Sequence, residues 1–282
     1  MSGTTGKLSA EVRIDGAVHI WSGDAMAYPW APHDGHELPE PQGTVESLLQ
    51  TLDANGFTGA VCVQPRVYGY DHAYLIGAVH AHRPRLAGVC LVNPVRPFGP
   101  RELEVLVVDH GMSGVRLLPL AQRNPQWFVD ASGDPLWRAA NDLGIVVSVL
   151  VRAEQIALVE SRARQFPDAR IVVDHLGSAP TGGSTAIDDL IGLSGYSNVS
   201  VKVSALSFFA ATASWEATED AARAARDSFG PDRVVFGTDW PYSTENVPWS
   251  DELVLLERAL GSRADESGLL GENAARLWMF GQ

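Results

Sequence analysis

Eight times along this chain a short apolar run appears and breaks off, and the segments between the runs carry helical spacing rather than a hairpin signal. The runs are Arg13 to Trp21, Gly59 to Gln64, Leu86 to Leu91, Gly114 to Leu117, Ile145 to Leu150, Arg170 to Asp174, Val199 to Lys202, and a last one leading to Asp239. Each is too short for a helix and too uniformly apolar for a half-exposed strand, as expected of strands covered on both faces. Between them, Thr44 caps a helix that puts Val45, Leu48, Leu49 and Leu52 on one face and stops at Asn55-Gly56. A second helix ends near His82 ahead of Pro84. Others are expected at Arg101 to His110, Pro135 to Leu143, Ala153 to Gln165, Thr185 to Leu193, Trp215 to Phe229, Ser250 to Leu260 and Ala264 to Trp278. Strand alternating with helix eight times predicts a parallel (β/α)8 TIM barrel. A doubly wound open sheet is the alternative, disfavoured because strand one carries no Gly-rich phosphate turn.

With 282 residues, 45% of them hydrophobic, and no shift of composition along the chain, residues 10–282 read as one barrel domain behind a polar tail at 1–9. The tail lacks the basic and apolar blocks of a signal peptide, and no run of eighteen apolar residues occurs, so a cytoplasmic protein is expected. Acidic residues outnumber basic ones 34 to 21, a formal net charge of −13. Nucleic acid and anionic membrane are thereby disfavoured as partners, since both demand concentrated Lys and Arg. A small-molecule substrate is the expected partner, and a homo-oligomer stays open. Cys62 and Cys90 lie inside apolar runs and read as buried free thiols.

In a parallel barrel the catalytic groups sit at the C-terminal ends of the strands. That rule selects His19, Gln64 and Arg66, Asn93, Arg116, His175, Lys202 and Ser204, and Asp239. Asp239 stands where Val234-Val235-Phe236-Gly237 breaks into Thr238-Asp239-Trp240-Pro241, a strand that stops and presents a carboxylate. Its duller explanation is a turn cap. His19 and His175 could be hydrogen-bonded core residues, yet both fall at the same end as Asp239. Such a set suits a divalent metal or metal-free acid–base chemistry on a carbonyl. Arg116, flanked by Val115 and Leu117, points inward, either into an internal ion pair or toward a substrate carboxylate. Tyr68, Tyr70 and Trp240 are candidates for the pocket wall. His33 and His36, in an irregular loop up to about Pro41 that has the character of a lid, read as surface residues, and His72, His80, His82 and His110 as structural or solvated.

The ordered set of motifs resembles the amidohydrolase superfamily, in its amidohydrolase-2 branch with lactone hydrolases of the sugar-lactone, pyrone-dicarboxylate and muconolactone type. The resemblance spans nearly the whole chain. It rests on Ile14-Asp15-Gly16-Ala17-Val18-His19-Ile20-Trp21, Val63-Gln64-Pro65 with Tyr68-Gly69-Tyr70-Asp71, Gly114-Val115-Arg116, Val173-Asp174-His175-Leu176-Gly177, Val201-Lys202-Val203-Ser204, Phe236-Gly237-Thr238-Asp239-Trp240-Pro241 and Gly271-Glu272-Asn273-Ala274-Ala275-Arg276-Leu277-Trp278. It implies a His-x-His on strand one, a ligand on strand six and an aspartate on strand eight around the reacting water. Here His19, His175 and Asp239 match, but the first histidine is Ala17 and strand five offers only Val149-Leu150-Val151.

The expectation is a hydrolase that opens a lactone or related cyclic ester of a small carboxylated substrate. Asp239 would be the general base, with His19 and His175 polarising the carbonyl and Arg116 and Arg123 binding the carboxylate. Gln64, Arg66, Tyr68, Tyr70, Trp240 and Lys202 would complete the substrate site. No cofactor is expected to be required; a weak divalent cation, zinc or manganese, would use His19, His175 and Asp239. The alternatives are a decarboxylase of a cyclic or aromatic acid, or a metal-free cyclase, isomerase or binding protein on the same barrel.

Overall fold

A computed structural model describes residues 12–30, 43–121, 125–243, 247–278 and 280. The polar tail, the His33 and His36 loop and Arg123 lie outside the described residues. Eight parallel strands form one sheet in sequence order: β1 (Ile14–Val18), β2 (Gly59–Val63), β3 (Leu86–Leu91), β4 (Gly114–Leu117), β5 (Val146–Val149), β6 (Arg170–Val173), β7 (Val199–Ser204) and β8 (Val234–Gly237). The helices outside are α1 (Val45–Ala54), α2 (Ala73–Ala81), α3 (Gly99–Val108), α4 (Gln126–Val129), α5 (Asp134–Asp142), α6 (Ile156–Gln165), α7 (Gly183–Leu193), α8 (Leu206–Thr212), α9 (Trp215–Phe229), α10 (Trp249–Leu260) and α11 (Asn273–Trp278). This is the expected single-domain (β/α)8 barrel.

Closure is made at the β1/β8 seam just beyond the strands. The Asp239 amide donates to the Ala17 carbonyl at 2.8 Å and the His19 amide to the Trp240 carbonyl at 2.7 Å. The backbones meet so closely that side chains are excluded. A Cβ on Gly16 would fall 2.6 Å from the Phe236 carbonyl oxygen, and one on Gly237 would fall 2.9 Å from the Ala17 nitrogen. The same seam therefore sets the spacing of two functional candidates.

Alternation along the strands divides the core in two. Val115, Leu117, Val147, Val149, Val201 and Val203 turn outward against the helices, while Ile14, Val61, Val89, Val146, Val172 and Val235 fill the barrel with Ala274 and Trp278 of α11. The last segment departs from the single helix expected over Ala264 to Trp278. It is a 3₁₀ turn (Gly261–Asp265), a π turn (Gly268–Glu272) and the short α11. A Cβ on Gly271 would lie 2.0 Å from the Val12 carbonyl oxygen, and Asn273 Nδ2 donates to the Pro231 and Val234 carbonyls at 2.7 and 2.8 Å. Docking under β1 and β8 thus overrides helical periodicity. His72 is structural, as expected: its Nε2 accepts from the Leu91 amide at 3.1 Å, and burial lowers its pKa to about 4.

Candidate active site

Three strand ends bring His19, His175 and Asp239 together. The His19 Nδ1 lies 2.9 Å from the Val63 carbonyl, an atom that only accepts, so Nδ1 carries the proton and Nε2 is turned into the barrel mouth. There it stands 3.3 Å from Asp239 Oδ1. Asp239 itself has φ 62, a left-handed conformation costly for a residue with a Cβ. That bend points the carboxylate inward, and the Ser243 amide closes the turn on the Asp239 carbonyl at 3.2 Å. Burial alone would raise the Asp239 pKa, but His175, His19 and Arg116 outweigh it and hold the carboxyl below its ordinary range.

His175 opens a second left-handed run. Its φ is 51, followed by 55 at Leu176, 62 at Gly177 and 58 at Ser178. Consecutive left-handed residues reverse the chain at the end of β6 and aim the imidazole at the mouth of the barrel. His175 Nδ1 lies 2.8 Å from Ser204 Oγ and Nε2 lies 3.2 Å from Arg116 Nη2. A guanidinium cannot accept a hydrogen bond, so Nε2 is the acceptor and Nδ1–H donates to the Ser204 hydroxyl. Burial keeps His175 below its usual pKa, and the carboxylates of Asp239 and Asp174 oppose the shift.

Arg116 fulfils the ion-pair reading and still reaches the site. Its Nε donates to Asp174 Oδ2 at 2.7 Å, and Asp174 Oδ1 lies 2.9 Å from Lys202 Nζ. Lys202 is fully buried under the site, with its ammonium 5.0 Å from the centre of the Trp278 ring. It supports Asp174 and does not line the cavity, which corrects its assignment to the substrate; Val199, Val201 and Val203 face outward and so turn Lys202 into the barrel.

The mouth opens into a cavity of about 840 Å³, within the usual range for small-molecule sites. His19, Arg66, Arg116, His175 and Asp239 all line it. Other expected contacts are spent elsewhere. Gln64 Nε2 donates to the Asp71 carbonyl at 2.6 Å and bridges a loop. The Tyr68 hydroxyl accepts from the Ser22 amide at 2.7 Å, and Tyr70 lies on the surface beneath the Arg96 guanidinium. Trp240 is buried in the outer core, because the turn at Asp239 sends it away; Tyr242, two residues on, lines the cavity instead. Burial beside Asp239 raises the Tyr242 hydroxyl to about 12.

Sequence reasoning passed over Arg152, Tyr242 and the whole of α8, whose Ser207, Phe208 and Phe209 line the cavity. The run Leu206 to Ala211 directly after β7 carried a helical signal for α8. It also passed over Glu252 on α10, which is fully buried. The Glu252 carboxylate accepts from the Leu206 amide at 2.8 Å, from the Ser207 amide at 3.0 Å and contacts the Ser207 hydroxyl, which also lies 2.9 Å from the Ser243 carbonyl. Burial raises Glu252 to about 7 despite these donors.

The donor set does not fit a family-type metal centre. Ala17 has no donor atom, Leu150 is the strand-five residue facing the cavity, and the Arg116 cation occupies the Nε2 lone pair that His175 would have to offer. Among the described residues no three His, Cys, Asp or Glu side chains are arranged to hold an ion. No described helix is long and apolar enough to cross a membrane.

Comparison with known proteins agrees with the barrel. The chain is 26% identical to an L-fucono-1,5-lactonase of Burkholderia multivorans over 95% of its own length and 96% of that protein. It is 25% identical to a 4-sulfomuconolactone hydrolase of Hydrogenophaga intermedia, covering 94% and 87% of the two chains. A crystal structure of a Burkholderia multivorans amidohydrolase with bound zinc superposes with a TM-score of 0.75 at 26% identity, over 95% of this chain and 99% of that one. The amidohydrolase family model matches residues 14–280, nearly the whole barrel, and the chain belongs to the amidohydrolase family.

Proposed function

We propose that this amidohydrolase opens the lactone ring of a small carboxylated substrate with a water activated by Asp239. The observation that carries the reading is the convergence of an ionised carboxylate, two imidazoles and the Arg116 guanidinium on one cavity at the C-terminal mouth of the barrel. The lactonase names of both relatives support the reaction class.

Asp239, held ionised, takes a proton from water as its oxygen attacks the lactone carbonyl. The carbonyl oxygen gains negative charge, and the Arg116 guanidinium offers the donors that stabilise it. The ring C–O bond then breaks, and the Asp239 proton passes to the leaving oxygen, giving a hydroxy acid. With its Nε2 directed at Arg116, His175 orients the guanidinium in this scheme. Arg66 and Arg116 are the described candidates for the substrate carboxylate, since a planar fork matches that group. No step uses a metal, because the donor set does not fit one.

The test is turnover of carboxylated lactones by chelator-treated protein. Wild type is expected to keep its kcat, and Asp239→Asn to lose at least about a hundredfold with an unchanged circular dichroism spectrum. Wild-type kcat in a folded Asn variant removes Asp239 from the mechanism. Activity lost to the chelator and restored by zinc or manganese removes the metal-free scheme.

A further inference from the structure

We infer that the substrate joins its carboxylate to an apolar body, a hydrocarbon ring or chain rather than the hydroxyl-bearing skeleton of a sugar acid, and that α8 is the surface on which that body lies. This deepens the lactone reading and rests on it. The lining of the cavity holds planar cations, a hydrocarbon wall and a few hydroxyls. Arg66, Arg116 and Arg152 supply planar cations suited to an anion, whereas Leu120, Leu150, Ala205, Phe208, Phe209 and Val247 present hydrocarbon. Among the described lining residues there is neither Asn nor Gln, and the hydroxyls of Ser178, Thr181, Thr212 and Ser207 are engaged within the protein, donating to the Val151, Ser178, Phe208 and Ser243 carbonyls at 2.8, 2.8, 2.7 and 2.9 Å. A polyhydroxylated ring needs paired donors and acceptors along its edges; against Leu and Phe its hydroxyls would lose water and gain no partner.

Phe208 gives the strongest sign. It is 51% exposed inside the cavity lining, while its neighbour Phe209 is 3% exposed and packed into the wall. The two rings meet edge to face, with centroids 5.3 Å apart and planes at 78°. An exposed aromatic ring resting on a buried one is placed to gain burial when an apolar ligand covers it. The wall is also fixed in position. Glu252 holds the first amides of α8, and the Ser207 hydroxyl ties the helix to the Ser243 carbonyl in the turn that bears Asp239. A ligand body lying on α8 is therefore held at a set distance from the reacting carboxylate.

Stable acids test this independently of catalysis. Binding of succinate, benzylsuccinate and gluconate to the whole protein is measured by titration calorimetry at neutral pH. Benzylsuccinate is expected to bind at least about tenfold more tightly than either other acid, the discrimination a modest apolar contact provides. In Phe208→Ala the benzylsuccinate-to-succinate ratio should fall toward one, and in Phe208→Leu it should be largely restored. Gluconate binding as tightly as benzylsuccinate, a ratio unchanged in Phe208→Ala, or no benzylsuccinate binding at millimolar concentration would each overturn the inference. Turnover separates the two readings. If benzylsuccinate preference holds while phenyl-substituted and unsubstituted carboxylated γ-lactones both stay intact, the hydrolase reading fails and this one stands. If both lactones are opened at equal kcat/KM, the hydrolase reading stands and this one fails.

Discussion

Asp174 and Asp15 are both almost wholly buried inside the same barrel, and their carboxyl groups are pushed in opposite directions. Asp174 lies between Arg116 and Lys202, and although burial acts to raise its pKa, the two cations overcome burial and hold it below the usual carboxylate range. Asp15 accepts from the Thr238 amide at 3.0 Å, the Thr238 hydroxyl at 2.6 Å, the Ala17 amide at 3.1 Å and Trp249 Nε1 at 3.2 Å. These donors are neutral, so burial wins and its pKa rises to about 6. Burial is common to both; partner charge sets the sign. The two carboxylates accordingly serve different ends. Asp174 fixes Arg116 electrostatically at the substrate cavity, while Asp15 pins β1 to β8, the seam that spaces His19 from Asp239.

The largest effect is expected from Asp174→Ala, which strands two buried cations without a counter-charge. Loss of about 3–5 kcal/mol is expected, read as a strongly lowered melting temperature or failure to fold. A variant that melts within a degree or two of the parent would show that Arg116 and Lys202 do not depend on Asp174.

Arg116→Met leaves Asp174 with Lys202 and should cost less stability, about 1–3 kcal/mol. Its main effect should fall on carboxylated substrates, with KM raised more than tenfold while neutral lactones suffer less. Equal losses on both classes would take the substrate carboxylate away from Arg116 and weaken the contrast with Asp15, whose hydrogen-bond partners do not line the cavity.

Asp15→Asn should have the smallest effect, about 1 kcal/mol at neutral pH, because an amide still accepts but loses part of the donor set. Its pH dependence carries the information. A carboxyl raised from 3.8 to about 6 on folding contributes stability that is present below its unfolded pKa and lost as pH rises through its folded one. Denaturant melts should therefore show this contribution declining from about pH 4 to pH 6 in wild type and absent in Asp15→Asn. Asp174 has the opposite sign, with stability present above its unfolded pKa and lost as pH falls through the depressed folded value. Parallel pH curves for the wild type and Asp15→Asn would remove the asymmetry between the two sites.

Much of this was legible along the chain because the signals are local. Strand length, apolar content and the helical spacing between strands involve neighbours within a turn or two, so the eight strands and the full span of Trp215–Phe229 follow from residue order. The strand-end rule also found His19, His175, Asp239 and Arg116, since a parallel barrel places all its C-terminal ends at one mouth. The direction of each side chain beyond the strand end was not available in the same way. A left-handed residue at Asp239 turns Trp240 into the core and Tyr242 into the cavity, and alternation along β7 takes Lys202 below the site. The partners of Asp15, Asp174 and Glu252 come from segments 223, 58 and 46 residues away, so their charge states depend on contacts that only chain closure creates. Residue order thus determined the barrel and which groups reach its mouth, because periodicity and strand polarity are local properties. Tertiary structure decided which of those groups face the cavity, which are spent holding them, and that an apolar helix forms one wall, because orientation and electrostatics arise from contacts between distant segments.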